Sequence, residues 1–482
     1  MATTIPPNRC SFIASHISQI TGAPALANAS LRTTSVSIDS RVIAPGALFV
    51  ALRGARDGHE YLAAATDAGA AAALVERGRA SALPCFEVDD PLAALGALAR
   101  AHLERMRRAS SIPTIAIGGA AGKTTTKELT AALMRSLCGA TLATPGNLNN
   151  LIGVPMTIFT LEDTHRAAVL ECGTNQPGEI ARLAAIVQPG AALVLNVDIE
   201  HTEGLGSLEG VADEEAALFA TAKIAVVSTA EIRLLRRIPP AMPRLTFGFD
   251  HAADVRLVAR TVSSTGQQII ELKLRPSLVE SGIAPRLSAT LSLLGAASAL
   301  NAASAVAAAA AALARPFHAD ELDAIAGALA GVRASDGRLS LHELGGILVI
   351  DDTYNSNPRS LRAALAAARE TVDGLRTRLI VALGDMLELG ELSAAAHIEA
   401  LQELVRIQPE TCLLVGAEMR RAAESASASR LSGLTLAADS LEAAPLVAKI
   451  ARRGDVLLVK GSRGIAMERI IDALPGGESR VR

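Results

Sequence analysis

The sequence predicts an α/β protein built as three domains, and three observations point there. Short apolar runs alternate with helical segments along most of the chain, the pattern of parallel sheets covered by helices. The chain has 482 residues, room for roughly three domains of ordinary size. One stretch, Ile115-Ala116-Ile117-Gly118-Gly119-Ala120-Ala121-Gly122-Lys123-Thr124-Thr125-Thr126-Lys127-Glu128, runs from apolar residues through glycines into a lysine and threonines that open a helix.

That last stretch has the order of a phosphate-binding loop. Glycines let backbone N–H groups approach phosphate oxygens, and the helix N-terminus adds its partial positive charge. In such a loop Lys123 reaches the terminal phosphates, and the Thr124 hydroxyl is placed to hold Mg²⁺. The strict Walker spacing asks for glycine where Ile117 stands, so the motif here is the shorter Gly119-Ala120-Ala121-Gly122-Lys123-Thr124-Thr125. The competing reading is a Gly-rich strand-to-helix turn carrying a surface lysine.

The first unit, residues 1–108, alternates short strands and helices as a small α/β domain. Val36 to Arg41 reads as a strand leading to the turn Pro45-Gly46, and Leu92 to Arg107 as a long helix. The central unit, 109–332, opens with the phosphate loop and has the character of a P-loop ATPase with a parallel sheet. It continues with a loop holding Asn147, Asn149 and Asn150, residues that in loops usually satisfy their own backbone. Ala167 to Leu170 is a buried strand that ends in Glu171, where a Mg²⁺ ligand or a capping carboxylate is expected. His201 lies just past the end of the strand Ala191–Asn196, the edge at which ligands of open α/β sheets sit. A neutral imidazole there is a metal ligand or a structural group. Gly295 to Ala314 is an alanine-rich helix. The third unit, 333–482, repeats strand–helix alternation and reads as a Rossmann-like doubly wound sheet, with polar residues at its strand ends.

Composition excludes several classes. A net charge of −3 with no Trp and only two Tyr argues against a nucleic-acid or anionic-membrane binder. The five cysteines form no C-x-x-C pair and read as free thiols in a reducing cytosol. The N-terminus lacks the order of a signal peptide. The most apolar long run, Ala302 to Ala314, is too short and weakly apolar for a membrane span. The expectation is a cytoplasmic protein without a membrane span, acting as a monomer.

The whole chain resembles the ATP-dependent Mur ligases. The matching stretches are Asp39-Ser40-Arg41 with Pro45 to Phe49 and Asp57-Gly58-His59, then the phosphate loop and Gly146 to Pro155. Glu171-x-Gly173 with Asn175 to Ile180, and His201 with Gly206-Ser207, follow. The third unit adds Asp351-Asp352-x-Tyr354-Asn355-x-Asn357-Pro358, Leu383 to Met386, and Lys460-Gly461-Ser462-Arg463. These last groups favour the branch of the family that adds D-Ala-D-Ala to UDP-N-acetylmuramoyl-tripeptide. The resemblance implies ATP and Mg²⁺ as cofactors, and an acyl-phosphate intermediate. It implies Ser40 and Arg41 at the UDP end of the substrate, and Asn147, Asn149, Asn150, Lys460 and Arg463 toward substrate. Asn301, Arg338, Asp352 and Asn355 join the loop residues at ATP; Lys123, Glu171, His201 and Glu215 are implied as catalytic, with Thr124, Glu171 and His201 holding the metal. Glu215 stands where relatives carry a carbamylated lysine that helps hold a second Mg²⁺.

The chain departs from its relatives at three places. Gly118, Ala120 and Ala121 replace hydroxyl and amide side chains in the loop. Of a Gly-x-His-Asn-x-x-Asn stretch only Gly295 and Asn301 are kept, and Glu215 replaces the lysine. Two alternatives therefore stay open: a sister amide ligase such as the tripeptide-forming one, and a catalytically weakened nucleotide-binding homologue with a scaffolding role.

Overall fold

The computed structural model describes residues 5–79, 82–199, 202–262, 267–425 and 427–477. Among the described residues the strands form three sheets. The first is a parallel sheet of four strands in chain order, Val36–Ser37, Leu48–Val50, Ala72–Glu76 and Cys85–Val88. Its first strand is shorter than the sequence suggests. Asp39 accepts the Arg41 N–H at 3.0 Å and so turns the chain into a short 3-10 helix, Ser40–Val42.

The central sheet has nine strands. In spatial order they are Arg286–Leu291, Gln268–Leu274, Val255–Val262, Arg244–Gly248, Ile224–Ser228, Ala191–Val194, Thr114–Gly118, Ala167–Glu171 and Thr141–Ala143. The inner strands are parallel and buried throughout, as continuous apolar runs require when helices cover both faces. The first three in that order are antiparallel to one another, and Gln268–Leu274 alternates buried and exposed, the sign of one solvated face. After Thr114–Gly118 the chain goes to one edge, returns to Ala167–Glu171, and then crosses to Ala191–Val194 on the other side. The carboxyl end of Thr114–Gly118 is thus the topological switch point, where a crevice opens.

One face of this sheet packs on the phosphate-loop helix Lys123–Cys138 and on the alanine-rich helix Gly295–Leu313. Contrary to the sequence expectation, the latter is long and apolar enough to cross a membrane, because the helix starts earlier, at Gly295, yet most of its alanines lie in the central core. Small side chains let its backbone come close to both the sheet and the neighbouring helix. The other face packs on the helices Pro91–Ser110 and Glu179–Val187, in a core continuous with that of the first sheet. The third sheet orders Ser340–Leu344, Ile347–Asp352, Val456–Lys460, Leu379–Gly384, Thr411–Val415 and Leu434–Ala437, parallel except for its first pair. Asp351 and Asp352 end a strand here and do not belong to the loop that follows.

The helix Pro358–Leu375 ties the third sheet's domain to the central one. Arg359 donates to Glu231 at 2.8 Å, Arg362 stands 3.6 Å from Asp198, and Arg260 pairs with Glu370 at 3.0 Å. Ala367 of this helix sits where a Cβ on Gly295 would come within 3.0 Å.

His102 shows how tightly the helix Pro91–Ser110 is built into the core. Its Nε2–H donates to Leu161 O at 3.0 Å, and its Nδ1 accepts from Arg105 at 2.9 Å, so the neutral ring is satisfied on both sides. Burial, with Arg105 adding to it, pushes its pKa down to about 4. The unfolded chain therefore takes up this proton first as pH falls. The stability tied to the neutral ring is intact above about 6.5 and is lost as pH falls toward the folded value, by on the order of 3 kcal/mol in full. Denaturant unfolding between pH 7 and pH 4 should show a steeper loss for the wild type than for His102→Gln. Parallel curves would show that His102 takes no part in acid destabilisation.

Candidate active site

Gly119 and Gly122 shape the loop after Thr114–Gly118. Their φ values are 119° and 88°, a region open mainly to glycine. A Cβ on Gly119 would stand 2.9 Å from Leu195 N, and one on Gly122 would stand 3.0 Å from Asn301 Oδ1. Asn196, at the end of the neighbouring strand, splints the turn. It accepts the Ala120 N–H through its carbonyl at 3.0 Å and the Ala121 N–H through Oδ1 at 2.8 Å, and its Nδ2 donates to Ala121 O at 2.8 Å. Asn196 thus holds through its backbone and side chain a loop in which Ala120 and Ala121 carry no hydrogen-bonding side chain.

Lys123 opens the helix and turns its ammonium back to Gly119 O at 2.6 Å. The first helical bond runs from Thr126 N–H to Gly122 O at 2.9 Å, so the amides of Thr124 and Thr125 have no acceptor within the helix. Such an end attracts phosphate.

Glu171 ends the next strand, 1 % exposed. The Thr124 hydroxyl donates to its Oε2 at 3.0 Å and Asn149 Nδ2 to its Oε1 at 2.9 Å. Asn149 is therefore an orienting residue; its amide also lies 2.8 Å from where a Cβ on Gly173 would be, so position 173 must stay small. Asn150 instead accepts the N–H groups of Ile152 and Gly153, as an ordinary loop asparagine does. Cys172, next to Glu171, is wholly buried, and burial, with the Glu171 and Glu215 carboxylates adding to it, pushes its thiol well above the ordinary range.

The third domain closes the other side. Lys460 is buried against Asp352, Nζ to Oδ2 at 2.5 Å, and donates to Asn355 O at 2.9 Å. Leu339 N–H donates to Asp352 Oδ1 at 3.1 Å, and the Arg338 guanidinium lies 3.9 Å over the Tyr354 ring. Burial raises the Asp352 pKa against the opposing pull of Lys460.

These elements enclose a cleft of about 430 Å³. Ala120, Ala121, Gly122, Lys123 and Thr125 line it with Asn147, Asn149, Asn150, Glu171 and Asn301 from the central domain, and Arg338, Asp352, Asn355 and Lys460 from the third. Thr124 reaches its edge through Glu171. Glu215 lies beneath the loop, 3 % exposed, accepting the Gly119 N–H at 2.6 Å. Ser40 and Arg41 are not among the lining residues; Arg41 is exposed and pairs with Asp39 at 2.6 Å. Arg463 also stands apart, half exposed and 3.4 Å from Glu468. His201 falls outside the described residues. Sequence reasoning missed Asn196 and the backbone groups that Glu214 holds. The signal for Asn196 was its place at the end of a buried strand beside the loop; nothing local marks Glu214.

The chain matches the Mur ligase family, catalytic domain, over residues 32–103, the Mur ligase middle domain over 117–309, and the glutamate ligase domain of Mur ligases over 337–463. It is 34% identical to the UDP-N-acetylmuramoyl-tripeptide–D-alanyl-D-alanine ligase of Escherichia coli, across 93% of this chain and 95% of that one. The chain belongs to the Mur ligase family. Solved structures agree: MurF from Acinetobacter baumannii superposes with a TM-score of 0.83 at 27% identity, covering 95% of this chain and 98% of its own. MurF ligase from Thermotoga maritima in complex with ADP gives 0.78 at 26% identity, covering 93% and 99%. This Mur ligase is thus an ATP-dependent, ADP-forming enzyme with the three-domain fold of its family.

Because Lys123 is the cation built into the phosphate loop, Lys123→Ala should lower ADP formation by about 10²-fold or more. Circular dichroism should stay that of the wild type. A folded variant with near-normal turnover would remove the loop from the reaction.

Proposed function

We propose that this protein adds D-Ala-D-Ala to UDP-N-acetylmuramoyl-tripeptide in peptidoglycan precursor synthesis, with the cleft as its catalytic centre. The observation that carries the reading is convergence. The phosphate loop, the Thr124–Glu171 pair and the Arg338–Asp352–Lys460 cluster meet in one cleft, in a chain matching D-Ala-D-Ala-adding relatives over nearly its full length.

A peptide carboxylate is a poor acyl donor. It becomes a good one by attacking the γ-phosphate of ATP, which releases ADP and leaves an acyl phosphate. The D-Ala-D-Ala amine then attacks the acyl carbon, and phosphate leaves as the amide forms. The helix N-terminus at Thr124 and Thr125 cradles phosphate oxygens. Lys123 swings from Gly119 O to the transferring group, where its charge counts most in the transition state. Arg338 and Asn355 reach ATP from the third domain, while Lys460 and Asp352 hold that arm in shape. Closure of the third domain keeps water from the acyl phosphate. Consumption of ATP, a cytoplasmic nucleotide, supports a cytoplasmic location for the reaction.

The donors at the loop suit Mg²⁺: the Thr124 hydroxyl and the Glu171 carboxylate are hard oxygen groups set side by side. Among the described residues no group of three or more His, Cys, Asp or Glu gathers to cage a metal. That fits an ion shared between few protein oxygens and substrate phosphates. When bound there, Mg²⁺ supplies charge neutralisation on the phosphate oxygens. Asn149 keeps Glu171 turned toward that position.

The assay that tests the reading is phosphate release with substrates withheld in turn. Release should need ATP, the UDP-tripeptide and D-Ala-D-Ala together. A full rate with ATP and D-Ala-D-Ala alone would mean that acyl donor and acceptor are wrongly assigned. Binding of ADP with no ligation under any combination would favour a scaffolding homologue.

A further inference from the structure

The helix Leu208–Ala216 runs behind the cleft and carries two adjacent carboxylates inward. Its outer face is fixed by Glu209 and Asp213, which pair with Arg237 at 2.8 and 2.6 Å. Glu214 and Glu215 are 8 % and 3 % exposed. Consecutive helical side chains diverge by about 100°, so the two reach different loops. Glu215 Oε2 accepts the Gly119 N–H at 2.6 Å. Glu214 accepts the N–H groups of Gly178 and Ile180, each at 2.7 Å, and the Thr174 hydroxyl at 3.3 Å. One helical turn therefore grips the phosphate loop and the segment Thr174–Ile180, and both border the cleft.

Gly118 supplies an independent observation. Its φ is not in the positive range, so the backbone itself does not demand glycine. A Cβ there, however, would stand 2.8 Å from Glu215 Oε2 and 3.2 Å from Leu218 Cδ2. The missing side chain is the socket for the carboxylate.

We propose that Glu215, seated against Gly118, is a positioning residue for nucleotide binding. It fixes Gly119, whose carbonyl in turn sets where the Lys123 ammonium rests, while Glu214 fixes the facing wall. In this arrangement Glu215 acts through the loop backbone and needs no metal to do so. The inference rests on the cleft being the nucleotide site.

Calorimetric ADP binding without Mg²⁺, together with KM and kcat for ATP and thermal unfolding, tests it. Wild-type protein must bind ADP; if it does not, the nucleotide reading fails and takes this one with it. Glu215→Gln, which keeps the shape and loses the charge, should weaken ADP binding and raise KM for ATP by about tenfold. Gly118→Ala should do much the same alone, yet add little to Glu215→Ala, because the clash disappears with the carboxylate. Three results would overturn the proposal: recovery of Glu215→Gln by raised Mg²⁺, which would make Glu215 a metal ligand; fully additive effects of the Gly118→Ala and Glu215→Ala changes; or unchanged ADP affinity in folded variants.

Discussion

Gly119 leaves its strand with φ 119° and passes so near the backbone of Leu195 and Asn196 that no side chain fits between them. This close approach is what the cleft depends on. It brings two strand ends and the loop together at the switch point, so that Asn196, Glu171 and the helix N-terminus lie close to one another. The energetic cost is a run of backbone amides with few routes to water. They are satisfied one by one from Glu215, the Asn196 carbonyl and the Asn196 side chain. Unsatisfied, each buried amide would cost roughly 1–3 kcal/mol, enough for the loop to favour another shape.

The third domain solves a comparable problem differently. Lys460 and Asp352 are both buried, and isolated charges there would be expensive. Their contact, completed by Asn355 O and Leu339 N–H, leaves neither alone and stiffens the chain where it meets the cleft. Arg338 is held over Tyr354 on the same arm. The arm is then carried as a unit by the helix Pro358–Leu375, which is anchored to the central domain at Glu231 and Asp198.

What the sequence revealed and what it hid divide by distance along the chain. The phosphate loop, Glu171 and the strand-end residues Asp352 and Lys460 were legible, because each sits where a local strand or helix pattern stops. The supports were not. Asn196 is 75 residues from the loop that it splints, and although the resemblance singled out Glu215, its partner Gly119 is 96 residues away. Glu214 reads as one more charge on a short helix. Within the asparagine loop the local reading was right for Asn150 and incomplete for Asn149, whose partner Glu171 is 22 residues on. The first strand came out short because Asp39 turns the chain at Arg41. Ser40 and Arg41 stand apart from the cleft because they lie in the short 3-10 helix that follows the first strand, beside a separate sheet whose relation to the cleft no local pattern encodes.

Cys172 sits between Glu171, at its strand end, and the glycine that Asn149 crowds, in a place with no solvent and two carboxylates near by. Reaction with peroxide or an alkylating reagent requires a thiolate that the reagent can reach. Burial withholds access, and the neighbouring negative charges withhold ionisation. A sulfur atom one residue from Glu171 is thereby made chemically silent. Oxidants reach this sulfur only after the fold has opened, and thiol-directed inhibitors would find no handle at Cys172.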